Sequence, residues 1–424
     1  MLRNCILAAS AATAASTATM IFNQSESTSI YTSVGTTVAS GLPFFAVADG
    51  LNAPKFAEVY DGKGNLVWTF SNASSDADFL VDTARHADGA DNGPADVFVV
   101  ACDSAGCTVF GRTSATDTTQ WSTALPACGT DGGGGTYTGF QAADDGSAVA
   151  FRCYYTGGAT PTIRVYNLDG QTGATKWMND LGASVKPGQG QIQISATGAR
   201  VLLVNEDGIP TPNSAQAYVY DGPTGSLLAT IQIPFFITAA ISDSGDYVAV
   251  GDDPNVHVWK SDATGYSPAY DVAPPTAGSW IPWDMTISSG SDTTEVLVVG
   301  YISGDVRTIS VGGTALATGA LALNWTSLTN PTLQENPTLR ADGDYVAVSA
   351  WGNDGDVPTV ILLKTGSDAS IFEYTTPGSM MAVDVNVVAS SSGPDTIYLA
   401  AAGKHVPANR MGNGGDAFGW TITN

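Results

Sequence analysis

A chain of 424 residues that is 43% hydrophobic can bury a large core and is too apolar to be intrinsically disordered. Its 40 acidic and 16 basic residues give a formal net charge of −24, which argues against nucleic acid and anionic membrane surfaces as partners. Beyond the N-terminus no stretch approaches the ~20 apolar residues that a membrane span needs.

From the start of the chain, Arg3 followed by the small-residue stretch CILAASAATAASTA reads as a signal peptide over residues 1–18, with cleavage expected after Ala14 or Ala18. Cleavage removes Cys5 and leaves four cysteines. In CDSAGC, Cys102 and Cys107 stand at the two ends of a short turn between strands, where a bridge would pin a hairpin; Cys128 and Cys153 then pair by elimination. No His neighbours any Cys, so disulfides are favoured over zinc. Sequons at Asn23, Asn72 and Asn324 agree with a secreted glycoprotein.

The remaining chain is repetitive. The hexapeptide Gly-Asp-Tyr-Val-Ala-Val occurs at Gly245 and again at Gly343, and weaker apolar runs begin at Pro43, Ala95, Gly146, Gly198, Thr293 and Pro394. Successive starts lie 47 to 52 residues apart, so eight units fill the chain. Each unit carries a strand before the marked run, such as FITAAIS. A third strand such as AYVYD or VHVWK follows, then a Gly/Asp/Thr turn and a fourth strand such as NLVWTF. Four strands per ~50 residues without an amphipathic helix is the pattern of a β-propeller blade. An all-β, eight-bladed propeller over residues 19–424 is therefore expected. The eighth unit lacks a fourth strand, and the spare segment at residues 19–33 is expected to supply it and close the ring.

The third-to-fourth strand turns VYDGKGNLVWTF, VYNLDGQTGATKW and VYDGPTGSLLAT resemble the repeats of the quinoprotein-like, or PQQ-like, propeller superfamily. The resemblance covers three units well and implies an eight-bladed fold. The superfamily includes dehydrogenases, assembly scaffolds and binding proteins, so the resemblance leaves the chemistry open. Its alcohol-oxidising members carry adjacent cysteines, which this chain lacks, and its sugar-oxidising type depends on a His and several basic residues around the quinone.

Propeller topology sorts the loops onto two faces. Short turns such as SDSG, RADG and DGPTG gather on one, where Asp61, Asp169, Asp221, Asp243 and Asp342 are assigned turn-forming roles. The long loops gather on the other with Asp49, Asp103, Glu206, Asp207, Asp252, Asp253, Asp305, Asp354, Asp356 and Asp416, and with Trp280, Trp283 and Trp351. Lys404, His405 and Arg410 form a cationic insertion there. This acidic, aromatic face suggests a ligand site: carboxylates for calcium, or indoles and carboxylates for a glycan, against the alternative of a merely solvated rim. His257, in VHVW, reads as a packed strand residue rather than a base.

No nucleophile elbow, phosphate loop or His-Glu-x-x-His pair is present. The sequence leans toward a secreted, non-catalytic propeller without a resident cofactor. Such a chain would bind or scaffold a protein or glycan partner at the cell surface, in extracellular matrix or in an assembly. The other reading is an extracellular carbohydrate-active or quinoprotein-like enzyme with its site in the central funnel.

Overall fold

Every apolar run that marks the repeat is the second strand of a four-stranded antiparallel blade, with one short extra strand added to the third. These strands are Leu42–Asp49, Val97–Asp103, Ala148–Tyr155, Arg200–Asn205, Tyr247–Gly251, Glu295–Tyr301, Tyr345–Ser349 and Thr396–Lys404. Side chains alternate along a strand, so one that meets a neighbouring sheet on each side must be apolar throughout. In the twice-written hexapeptide, Val248 and Val250 pack toward blade 4 while Tyr247 and Ala249 pack toward blade 6. Likewise Val346 and Val348 face blade 6, and Tyr345 and Ala347 face blade 8. The glycine that opens each copy takes positive φ, +78° at Gly245 and +55° at Gly343, a backbone that other residues rarely adopt.

The structure is a computed structural model. It describes residues 16–27, 30–49, 56–71, 78–85, 95–103, 105–129, 139–182, 190–205, 215–234, 237–252, 255–274, 281–289, 295–302, 304–311, 319–321, 338–351, 358–365, 370–406 and 414–424. Eight blades form a closed ring. Their innermost strands, in blade order, are Tyr31–Ala39, Asp78–Thr83, Gly139–Ala142, Gly190–Ile194, Thr238–Ile241, Pro282–Ser289, Thr338–Asp342 and Met380–Val388. No helix among the described residues is long and apolar enough to cross a membrane.

The ring closes through the N-terminal segment. Thr17–Glu26 pairs antiparallel with Gly415–Thr423 and becomes the outer strand of blade 8. It begins earlier than the expected 19–33 and ends at Glu26. Tyr31 to Ser33 belong instead to the innermost strand of blade 1, because the chain must cross from the rim of one blade to the axis of the next. Cleavage after Ala14 would leave this strand whole, whereas cleavage after Ala18 would remove Thr17 and Ala18 from it. The rest of the expected signal peptide lies outside the described residues.

Eight apolar clusters fill the eight seams between blades. Three seams are also fastened by an indole. Trp68 donates its Nε1–H to Thr113 O at 3.0 Å, Trp121 to Gly170 O at 2.9 Å, and Trp177 to Gly222 O at 2.5 Å. In each case a fourth strand docks on the third-to-fourth strand turn of the next blade. Both disulfides, Cys102–Cys107 and Cys128–Cys153, lie in the core between blades 2 and 3. The first pins the hairpin turn as expected. The second ties the two-residue strand Cys128–Gly129 to the second strand of blade 3.

Candidate functional site

Adjacent innermost strands run side by side in the same direction around the channel, as the Ser33–Val81 and Thr36–Thr83 bonds show for blades 1 and 2. They all begin at the mouth that also carries the second-to-third strand loops and the connections between blades. The short turns lie at the opposite end.

Hydrogen bonds circle this channel. In every seam a side chain near the axis of one blade accepts a backbone N–H from the innermost strand of the next. Ser33 takes Val81 N–H at 2.9 Å, Asp82 takes Ala142 N–H at 2.9 Å, and Gln141 takes Ile194 N–H at 2.8 Å. Gln191 takes Ala239 N–H at 2.8 Å and Asp243 takes Ser289 N–H at 2.8 Å. Asp284 takes Leu339 N–H at 2.8 Å, Asp342 takes Val387 N–H at 2.6 Å, and Asp384 takes Thr36 N–H at 2.7 Å. An innermost strand has one edge without a β partner, and these acceptors satisfy N–H groups on it that burial would otherwise strand.

Five of these acceptors are carboxylates, Asp82, Asp243, Asp284, Asp342 and Asp384, and Asp144 of blade 3 lies close enough to feel Asp243. Two arginines sit among them. Arg85, from blade 2, reaches Asp144 Oδ1 of blade 3 at 2.8 Å and Ala341 O of blade 7 at 2.8 Å, so it crosses the turn-side end of the channel. Its own carbonyl accepts from Asn386 of blade 8. Burial alone would pull the Arg85 guanidinium down, yet Asp144, Asp384, Asp342 and Asp243 outweigh it and hold it well above its usual value. Arg340, on blade 7, feels the charges of Asp82, Asp284 and Asp384. Burial pushes the carboxyls of Asp82, Asp243 and Asp284 up to about 6, and that of Asp384 upward as well. Above Arg85, on the loop side, the channel holds a cavity of about 330 Å³ lined by seven of the eight innermost strands.

At the loop-bearing mouth the candidate residues form separate small groups. Asp49 ends the second strand of blade 1 and is fully buried. Nearby Tyr31 has its hydroxyl driven upward, first by burial and then by Glu58, Glu26, Asp49 and Asp416. His405 bonds Asp416 Oδ2 through Nδ1 at 2.9 Å, and its Nε2 lies 3.3 Å from Ser25 Oγ. That order of atoms also occurs in acyl-transfer sites. Here Ser25 stands opposite Asp416 on the exposed edge strand, and the relay clasps the closing strand to blade 8. Lys404 is buried, with its ammonium 4.4 Å from the Trp351 ring centre, and desolvation lowers its pKa.

Asp252 lies on blade 5 at the same mouth. His257 is not a packed core residue: its ring is partly exposed and spans two carboxylates, Asp252 at 3.1 Å and Asp271 at 2.7 Å. Burial would lower its pKa, but these partners raise it. Trp283, on blade 6, is 41% exposed. Asp253, Trp280, Asp354, Asp356 and Arg410, with the sequons at Asn72 and Asn324, lie outside the described residues. Asn23 is exposed on the closing strand. Among the described residues no three Asp, Glu, His or Cys side chains converge to hold a metal ion.

The turn-face assignments need one revision. Asp61, Asp169 and Asp221 do cap their own turns, as Asp61 does for Lys63 and Asn65 N–H. Asp243 and Asp342 instead reach across a seam, so their role is to join blades. Asp82, Asp284, Asp384, Arg85 and Arg340 went unnoticed in the sequence. Their signal was available: a lone acid inside an otherwise apolar first strand, as in FLVDT and MAVDVNVV.

No protein-family model and no curated protein matches the chain. Solved structures do. The β-propeller domain of Myceliophteria thermophila Cps50 (Swd1) matches at TM-score 0.42 and 11% identity, covering 66% of this chain and 82% of that one. BamB from Moraxella catarrhalis matches at TM-score 0.36 and 16% identity, covering 92% and 85%. The Dos1 propeller matches at TM-score 0.53 and 10% identity, covering 95% of this chain and 94% of its own. At that identity the likeness concerns architecture alone, and the architecture is a β-propeller.

Proposed function

We propose that this chain is an exported, disulfide-stabilised propeller that acts as a binding or structural scaffold and presents its loop-bearing mouth to a protein or glycan partner at the cell surface or in extracellular matrix. One observation carries the reading most: five carboxylates around the axis accept peptide N–H groups from neighbouring blades and so help to hold a rigid ring. The disulfides at the seam between blades 2 and 3 and the exposed Asn23 sequon support export and glycosylation. The repeat turns, and the indoles of Trp68, Trp121 and Trp177 docked on them, support kinship with the quinoprotein-like propellers.

The test is cross-linking of the full chain, secreted from eukaryotic cells, to extracellular-matrix and cell-surface preparations, together with a glycan array. Contacts confined to the loop-bearing mouth, with oxidised cysteines and no turnover, are expected. Contacts on the turn face, or retention in the cytosol with reduced cysteines, would overturn the proposal. A second reading, a carbohydrate-active or quinoprotein-like enzyme, is favoured by the near-neutral carboxyls of Asp82 and Asp284. Product formation that disappears in Asp284→Asn would establish it.

A further inference from the structure

The loop-side cavity is furnished with polar groups that the ring does not use. The Arg340 guanidinium lines it and hydrogen-bonds to nothing among the described residues. Gln141 and Gln191 have committed their carbonyl oxygens to the neighbouring blade, while their amide N–H groups have no partner among the described residues. Asp82 and Asp284 each accept two backbone N–H bonds, one per oxygen, which leaves a second lone pair on every oxygen. Phe140 and Met381 add apolar surface.

We propose that this half of the channel binds a small neutral polyol, a sugar or sugar alcohol, held between the Arg340 guanidinium and the carboxylates of Asp82 and Asp284. A hydroxyl both donates and accepts, so one such ligand answers the arginine, the amides and the carboxylates together. The alternatives fit less well. An anion attracted to Arg340 meets three aspartates. A metal ion finds no convergent ligand set among the described residues. An apolar ligand would leave Arg340 and the amides dry and unpaired, which is costly. A cavity of about 330 Å³ has the space of roughly eleven waters at ~30 Å³ each, enough for one sugar ring with its hydroxyls. The proposal goes beyond the scaffold reading, which concerns the rim.

Titration calorimetry of the full chain tests it, with glucose, mannose, galactose, N-acetylglucosamine, cellobiose and mannitol as probes and gluconate and glucosamine as charged controls. At least one neutral probe is expected to bind one to one at or below about 10 mM and to outcompete its charged counterpart. Arg340→Gln is expected to weaken it about tenfold or more. Because loss of that arginine could unbalance the ring, Arg340→Lys is the second variant. It keeps the charge that balances the aspartates and loses the planar fork of donors, so the unliganded protein should melt close to wild type while affinity falls about fivefold. Leu66→Ser, on the turn face, should change nothing. The proposal fails if none of the neutral probes binds. It fails equally if binding is lost in Trp283→Ala but kept in Arg340→Gln, which would place the sugar on the rim.

Discussion

Asp384 accepts the backbone N–H of Thr36 at 2.7 Å and its hydroxyl at 2.7 Å, joining residues 348 positions apart across the seam where the ring closes. The same atom thus satisfies two donors that neither blade can satisfy alone. Asp384→Ala should strand both and lower stability by about 2–4 kcal/mol, read as a shift in urea midpoint at constant slope. Asp384→Asn keeps an acceptor and should cost about half as much. Equal losses for the two variants would mean that charge, rather than hydrogen bonding, matters at this position.

Stability should rise on mild acidification. Asp82, Asp243 and Asp284 have folded pKa values near 6, above the ~3.9 of an unfolded aspartate. Between those limits the folded state binds more protons than the unfolded one, so stability falls as pH climbs from about 4 through 6 and then levels off. His257, with its pKa raised, acts in the same sense at higher pH. Exposed Asp262 acts oppositely, since the hydroxyls of Ser267 and Thr264 hold it down to about 2. A melting-temperature profile should therefore peak near pH 4 and decline toward pH 8, and an Asp82→Asn/Asp284→Asn double variant should flatten the decline between pH 4 and 6.

The indole junctions predict a graded series. Trp121→Ala empties the seam between blades 2 and 3 and should cost about 3–5 kcal/mol, whereas Trp121→Phe loses mainly the bond to Gly170 O and should cost about 1–2 kcal/mol. Gly173→Ala should be destabilising too, because Gly173 has φ +69° and a Cβ there would stand 2.4 Å from the Trp121 ring. Chemical unfolding of the three variants, compared with Leu227→Ser on the exposed turn face, checks the order.

Removing the two disulfides should have unequal effects. Cys128 and Cys153 close a loop with a separation of 25 residues, Cys102 and Cys107 one of 5. Loop entropy then assigns about 3.5 kcal/mol to the first and about 2 kcal/mol to the second. Paired Cys→Ala variants, unfolded under non-reducing conditions, should rank accordingly.

The blade count, the two-faced burial of Tyr247 to Val250, the disulfide pairs and the sorting of loops to one mouth were all legible in the sequence, because each follows from period, alternation or spacing. The acceptor ring was not. Asp82 and Asp384 look like blemishes in apolar strands until the strands are known to be innermost, and Asp243 resembles any turn aspartate until Ser289 is placed beside it. The closing segment was recognised but blurred, since strand and crossover share the same Ser/Thr-rich composition between residues 25 and 33. His257 was misjudged because its partner Asp271 lies on the adjacent strand, fourteen residues away.

The pairing of Thr17–Glu26 with Gly415–Thr423 also orders events during synthesis. At about 5–20 residues per second, the earliest of these segments to leave the ribosome waits roughly 20–80 s for its mate to be translated. Throughout that interval the segment has no strand to pair with and remains an unsatisfied β edge. A nascent chain on a neighbouring ribosome offers the same late mate, so crowded translation of this message favours exchanged dimers over closed rings.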